Sequence, residues 1–219
     1  MDNILTPLLE STKLQEHFVT LRDYIKEEQQ KRKDFYDFVT EDMKAEFING
    51  EVVIHSPVAN EHESVSNELN TLMNVYVSIQ NLGRITHEKL MISLTRNDYE
   101  PDICFFKKEK AAKFKEGQKI FPVPDMVVEV VSRSTEKNDR GIKFSDYALH
   151  GIKEYWIIDP RQKNIEKYLL KNKTYQLDEK IHNGNIITST IIKGFSIPAK
   201  ALFNKKAFLE TLNKLSNNQ

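Results

Sequence analysis

The strongest chemical signal in the sequence is an acid in an expensive place. Glu129 stands between Val127-Val128 and Val130-Val131, inside the compact apolar run Met126–Val131. That run reads as a buried strand, and a lone carboxylate within it is costly to ionise; it must be neutral, paired with a base, or bound to a cation. A second acid, Asp102, follows Pro101 at the mouth of the apolar run Ile103-Cys104-Phe105-Phe106. Two acids near the ends of adjacent core strands can supply oxygen ligands to Mg²⁺, which keeps several waters and usually takes only one or two protein carboxylates. An ion held there polarises a phosphoryl oxygen and lowers the pKa of a bound water. Phosphodiester hydrolysis also wants a cation near the developing negative charge, and Lys143 can supply it from the segment Asn138–Tyr147. Arg140 and Tyr147 lie on nearby faces of that predicted helix. Each residue has a plainer reading beside this one. Glu129 can be structurally paired with a base, Asp102 can be an ordinary strand-start residue, and Lys143 and Arg140 can be solvated helix charges.

Other chemically capable residues carry less. His62, at the start of a predicted helix, could contact a phosphate or a metal, but a helix N-terminus also suits an ordinary polar side chain. Cys104 reads as a small buried hydrophobe. Tyr155 and Trp156 fall in an apolar strand and read as core rather than as base-stacking platforms. Ser132 and Ser134 lack the strand-turn-helix elbow of a hydroxyl nucleophile. Glu136, Lys137 and Asp139 read as loop and helix-start charges, and the run Lys107, Lys108, Lys110, Lys113, Lys115 and Lys119 as a solvated face or a local phosphate patch.

The elements that must position these residues are legible from periodicity and turn chemistry. Thr12–Gln15 resembles a capping box, and Leu14, Phe18, Leu21 and Ile25 recur at helical spacing, giving an N-terminal amphipathic helix; a second short helix is expected around Phe35–Val39. Asn49-Gly50, between the apolar arms of Ala45–Ile54, predicts a hairpin with a type I′ turn. Val65, Leu69, Leu72, Met73, Tyr76 and Ile79 form a helical stripe, with Asn60 and Glu63 as cap candidates and Gly83 closing it. Strands are expected at Arg84–Leu94, Asp102–Phe106, Met126–Val131 and Glu154–Asp159, and a helix over Asn138–His150. Shorter β segments at Ile165–Leu170, Thr174–Leu177 and Ile186–Ile192 precede a C-terminal helix over Ala201–Leu215. Together they predict an α/β fold with a mixed sheet flanked by helices.

Composition sets the outer bounds. A chain of 219 residues, 39% hydrophobic and 29% charged, can bury one substantial core without disulfides or a structural metal. No apolar run is long enough to cross a bilayer, and the N-terminus lacks the basic start and apolar stretch of a secretory signal, so a cytoplasmic location is expected. One cysteine excludes an intramolecular disulfide. A formal net charge of zero excludes a nucleic-acid binder of the strongly basic kind and leaves phosphate contacts to local patches.

The succession Ala45–Glu51, His62, Pro101-Asp102, Pro124–Ser132, Asp139-Arg140, Lys143, Tyr147 and Gly151–Pro160 resembles the Uma-two family of restriction endonucleases, within the PD-(D/E)XK nuclease superfamily. The resemblance runs from about Phe35 to the C-terminal helix. It implies a restriction-endonuclease-like domain over residues 35–219, preceded by an N-terminal helical extension over residues 1–34. It implies DNA as substrate, Mg²⁺ as cofactor with Mn²⁺ as a substitute, and no organic cofactor. Asp102 and Glu129 are the implied metal ligands, Glu46 matches the family's N-terminal acid, and His62, Arg140 and Tyr147 are candidate phosphate or substrate contacts. The residue two after Glu129 is Val131 rather than the superfamily's lysine, so the resemblance assigns that role to Lys143, whose long stem can reach in from the helix. A homodimer is expected by analogy, since two subunits would cut both strands in one encounter. Two rival readings remain open at this point: a nuclease-fold nucleic-acid-binding or assembly module without turnover, and a metal-dependent enzyme acting on another phosphoester.

Overall fold

The computed structural model describes residues 5–182 and 184–217; the extreme ends of the two expected units, residues 1–4 and 218–219, lie outside them. In chain order, helix α1 (Thr6–Leu9) and the long helix α2 (Leu14–Phe38) precede the hairpin β1 (Ala45–Ile48) and β2 (Glu51–Ile54). Helix α3 (Asn60–Ile79) leads to strands β3 (Gly83–His87), β4 (Met91–Ser93), β5 (Asp98–Tyr99) and β6 (Ile103–Lys107). Helix α4 (Lys108–Ala111), β7 (Ile120–Phe121), β8 (Met126–Val130), α5 (Glu136–Asp139), α6 (Ile142–Leu149) and β9 (Glu154–Asp159) follow. Strands β10 (Asn164–Lys171), β11 (Thr174–His182), β12 (Ile186–Thr188) and β13 (Ser196–Pro198), a 3₁₀ turn and α7 (Lys205–Asn217) complete the chain.

The main sheet has the order β11-β10-β9-β8-β6-β3, and a smaller sheet the order β2-β1-β5-β4-β7. Within the main sheet only β8 and β9 run parallel, and α5 and α6 make the crossover between them. Both strands are buried from end to end, as expected of strands covered on both faces. Side chains alternate between two cores. Ile103, Phe105, Val128, Val130, Trp156 and Ile158 pack toward α3 and α7, whereas Cys104, Phe106, Val127, Val131, Tyr155 and Ile157 pack toward α6 and the smaller sheet. Glu129 shares parity with Val127 and Val131, and Asp102 with Cys104 and Phe106, so both acids project to the α6 side.

Several boundaries differ from the sequence reading, each for a local reason. The two N-terminal helices are one continuous helix, α2, begun at Lys13 without a side-chain cap. The charged residues between the two expected helices, Glu27–Lys33, anchor it, because Arg32 forks onto Asp98 at 2.6 Å. The apolar run Arg84–Leu94 breaks at Glu88 and Lys89, both at positive φ (45° and 43°), and its halves join different sheets. Gly83 does not close α3 but opens β3, where a Cβ would lie 2.0 Å from the Phe106 carbonyl oxygen. The predicted helix over Asn138–His150 is divided at Gly141 into α5 and α6. The hairpin is as expected, with Asn49 and Gly50 at φ 52° and 85°. Among the described residues no helix is long and apolar enough to cross a membrane.

Candidate active site

Helices α3, α5 and α6, strand β8 and the connections before β1 and β6 deliver charged side chains to one cavity of about 470 Å³, whose lining includes Lys44, His62, Glu100, Asp102, Glu129, Asp139 and Lys143. Strand β1 brings Glu46 by the same alternation that sends Phe47 into its own packing cluster. The spacing of four between Asp139, Lys143 and Tyr147 aligns them along α5 and α6 toward β8. Lys143 is the centre of this arrangement. Its ammonium, buried with the rest of the side chain, lies 2.8 Å from Glu46 Oε1, 3.1 Å from Glu129 Oε1 and 3.3 Å from Asp139 Oδ1. The Tyr147 hydroxyl donates to Glu129 Oε1 at 2.8 Å, and the Asp102 N–H approaches Glu129 Oε2 at 3.4 Å.

Asp102 is held from its other side. Lys44 Nζ donates to its Oδ1 at 2.8 Å, the Val130 N–H donates to its Oδ2 at 2.8 Å, and His62 Nε2 lies 3.2 Å from the same oxygen. Glu46 Oε1 also accepts the Glu100 N–H at 3.0 Å, and its Oε2 lies 3.0 Å from His55 Nε2.

The acids feel these surroundings unequally. Burial pushes Glu129 upward, and with Asp139, Asp102 and Glu46 crowding it, the Lys143 ammonium does not bring it back; its pKa is pushed up to about 8. Burial likewise raises Asp139, and raises Glu100 to about 7. Burial opposes ionisation of Glu46 as well, but there Lys143 and His55 prevail and hold it at about 2. For Asp102, His62 and Lys44 outweigh burial and hold the carboxyl below its ordinary range. Lys143 loses to burial less than it gains from Glu129, Glu46 and Asp139, so it is held charged, well above the usual lysine range.

These shifts describe a pocket with more carboxyl groups than its lysines can hold ionised. Its donors are carboxylate oxygens with an imidazole at the edge, and one buried atom, His62 Nδ1, has no hydrogen-bond partner among the described residues. That donor set fits a hard divalent cation.

Asp102, Glu129, Glu46, Lys143 and His62 thus meet at one place, and Tyr147 stands behind Glu129, fully buried. Arg140 is directed elsewhere: it pairs with Glu136 and Glu166 and is not part of the cavity lining. Lys44 and His55 stand at this cluster although sequence reasoning passed over them, and Asp139, read there as a loop or helix-start charge, joins them. Lys44 is two residues from Glu46 and Asp139 four from Lys143, and those spacings were the available signal. Cys104, Tyr155 and Trp156 are core residues, as read. Lys110, from the lysine-rich connection, pairs with Asp125 and donates to the Val123 carbonyl.

Residues 32–200 match the model of the Uma2 family, described as "Putative restriction endonuclease". Among solved structures the chain is similar to one described as a putative nuclease belonging to DUF820 from Anabaena variabilis ATCC 29413. The two are 19% identical, the match covers 80% of this chain and 97% of the other, and the TM-score is 0.67. At that identity the likeness establishes the shared fold. No curated protein matches the sequence.

Proposed function

Because this chain belongs to the Uma2 family, we propose that it is a metal-dependent endonuclease that hydrolyses DNA phosphodiester bonds at the Asp102–Glu129 cavity. The observation that carries this reading is the convergence of Asp102, Glu129, Glu46 and Lys143, from four separate stretches of the chain, in one buried cluster that holds more carboxyl groups than lysines. Asp102 and Glu129 would hold a divalent cation, Mg²⁺ with Mn²⁺ as substitute, which would supply Lewis-acid polarisation of the phosphoryl oxygen and a more acidic water. Lys143 is held charged, so its part is to orient the attacking water and offset the charge that builds on the phosphoryl oxygens, not to act as a base. Glu46 and Asp139 hold that ammonium in place, and Tyr147 fixes the rotamer of Glu129. Among the residues lining the cavity the exposed Arg133 supplies a guanidinium for the DNA backbone.

One observation favours a module without turnover. Lys44 already pairs with Asp102 at 2.8 Å, so this carboxylate is neutralised from within the chain. Cleavage assays separate the two readings: linear, supercoiled and single-stranded DNA are incubated with Mg²⁺ or Mn²⁺ and wild type, Glu129→Ala or Lys143→Ala. Cleavage by wild type alone is expected; cleavage that survives both substitutions removes the site.

The same proposal includes cytoplasmic action, a helical extension over residues 1–34 and a homodimer. Support for the homodimer comes from α2, where Phe18, Leu21 and Ile25 are 60%, 51% and 54% exposed. They continue the heptad-like seam that further along buries Phe35 against the chain's own hairpin. Sedimentation that returns a monomer at micromolar concentration would remove this part.

A further inference from the structure

Beside the Asp102–Glu129 cavity lies a second one, of about 320 Å³, with a different character. Its walls are apolar and still partly open: Tyr36, Met43 and Leu90 are half-buried, and Ile120 is 40% exposed. The Tyr36 hydroxyl donates to Asp98 at 3.0 Å, which fixes the ring near the C-terminal end of α2. Two exposed lysines also line this cavity. Lys89 sits in the positive-φ turn between β3 and β4, and its Nζ donates to the Glu41 carbonyl oxygen at 3.1 Å; Lys119 Nζ lies 3.4 Å from Glu41 Oε1. The two cavities adjoin at two points of the chain. Glu100 lines both, and Met43 lines one while its neighbour Lys44 lines the other and pairs with Asp102. Glu100 Oε2 accepts the Ala45 N–H at 3.2 Å, whereas Oε1 accepts no hydrogen bond among the described residues.

Small-molecule sites begin at about 300 Å³, so the cavity has room for one flat, drug-sized ring system. Its composition suits a nucleobase: the flat faces want aromatic and apolar contact, the edge wants a polar partner, and the attached phosphate wants positive charge. Successive bases of a strand are stacked only about 3.4 Å apart along the axis. A strand with a phosphate at the first cavity therefore has a base within reach of the second. We propose that the second cavity receives one base turned out of the DNA duplex beside the bond to be cut, with the Glu100 carboxyl accepting from an exocyclic amino group and Lys89 and Lys119 facing the adjoining phosphate. The position of the strand rests on the nuclease reading. Cytosine presents an amino group where thymine presents a carbonyl oxygen, so the cavity favours cytosine over thymine. A base that is already unpaired costs less to turn out, so a single-base bulge is preferred to a perfect duplex.

The test reads DNA affinity by fluorescence anisotropy, using the full chain carrying Glu129→Gln so that the strand is held uncut. Four duplexes are compared: perfectly paired, or carrying one extra cytosine, one extra thymine or one extra abasic site. The cytosine bulge is expected to bind about tenfold tighter than the abasic bulge, the scale of one base stacked on an aromatic ring, and roughly threefold tighter than the thymine bulge. Met43→Trp, which fills the cavity, should bring the cytosine and abasic bulges to equal affinity, and Glu100→Gln should remove the preference for cytosine over thymine. Should Met43→Trp fail to fold by circular dichroism, Ile120→Trp fills the same space from an exposed position. Equal affinity for the cytosine and abasic bulges before the cavity is filled, or a cytosine preference that survives its filling, overturns the base site. Cleavage by wild type is read separately. Cleavage with no bulge preference overturns the base site and keeps the nuclease reading, whereas a cavity-dependent cytosine preference in a protein that cuts no DNA keeps the base site and removes the nuclease reading.

Discussion

Glu129 and Glu154 lie on adjacent parallel strands and are both almost wholly buried, yet they are different objects. Glu154 is surrounded by neutral donors: Trp156 Nε1 donates to Oε1 at 2.7 Å, and the Thr190 and Ile191 N–H groups donate to Oε2 at 2.8 and 3.0 Å. Both of its oxygens are satisfied, and it serves to clamp the β12–β13 connection to the sheet. Glu129 instead faces a cavity, shares one ammonium with two other acids and lies beside a fourth, Asp102. A buried carboxylate alone does not mark a site. What marks it is an excess of acids that the fold leaves in contact with solvent-accessible space.

Substitutions at the two positions should separate the roles. The largest expected effect is on DNA cleavage, where Glu129→Ala lowers the rate by about 10³-fold or more, while Glu154→Gln stays within a few-fold of wild type per folded molecule. Next is Lys143→Met, which leaves three buried acids without their shared cation. Urea denaturation should find it less stable by about 3–5 kcal/mol. Glu154→Ala strands the indole and two backbone donors, for a loss of about 1–3 kcal/mol in the same assay, with Mn²⁺ affinity unchanged.

Stability against pH provides a finer contrast within the site. Glu129 has a folded pKa raised from 4.5 to about 8, so its neutral form favours the fold below 4.5 and that contribution is lost as pH rises through 8. The stability of Glu129→Gln relative to wild type should therefore increase across that window. Glu46 runs the other way. Held at about 2, its contribution is full above 4.5 and lost as pH falls toward 2. Identical pH dependence of the two Gln variants relative to wild type would break this contrast. The smallest expected effect is Phe18→Ser on the exposed face of α2, within about 0.5 kcal/mol for the isolated chain.

Much of this was legible in the sequence because the signals were local. Valines around Glu129, Pro101 before Asp102 and Asn49-Gly50 in the hairpin each state a backbone or burial preference within a few residues. What stayed hidden was long-range pairing. Glu154 stands in an equally apolar strand, and nothing nearby announces that Thr190 and Ile191 satisfy it. Lys44, before β1, and His62, on α3, lie far from Asp102 in the chain and meet it only in the folded domain, so the sequence could not show that the acid is already paired. Arg140 sits beside the site's helix residues in sequence, yet the turn at Gly141 leaves it free to pair with Glu166 outside the cavity. The continuous helix α2 was obscured in the same way, since its charged middle becomes a docking surface only once Asp98 is in place.

The proposed chemistry belongs to the Glu129 cavity and not to buried acidity as such. Single-turnover nicking of supercoiled DNA by Glu129→Gln and Glu154→Gln, with Mg²⁺ or Mn²⁺ and with chelator as control, tests it most directly. Metal-dependent nicking is expected of wild type and Glu154→Gln, and none of Glu129→Gln. Nicking by Glu129→Gln at the wild-type rate would contradict it.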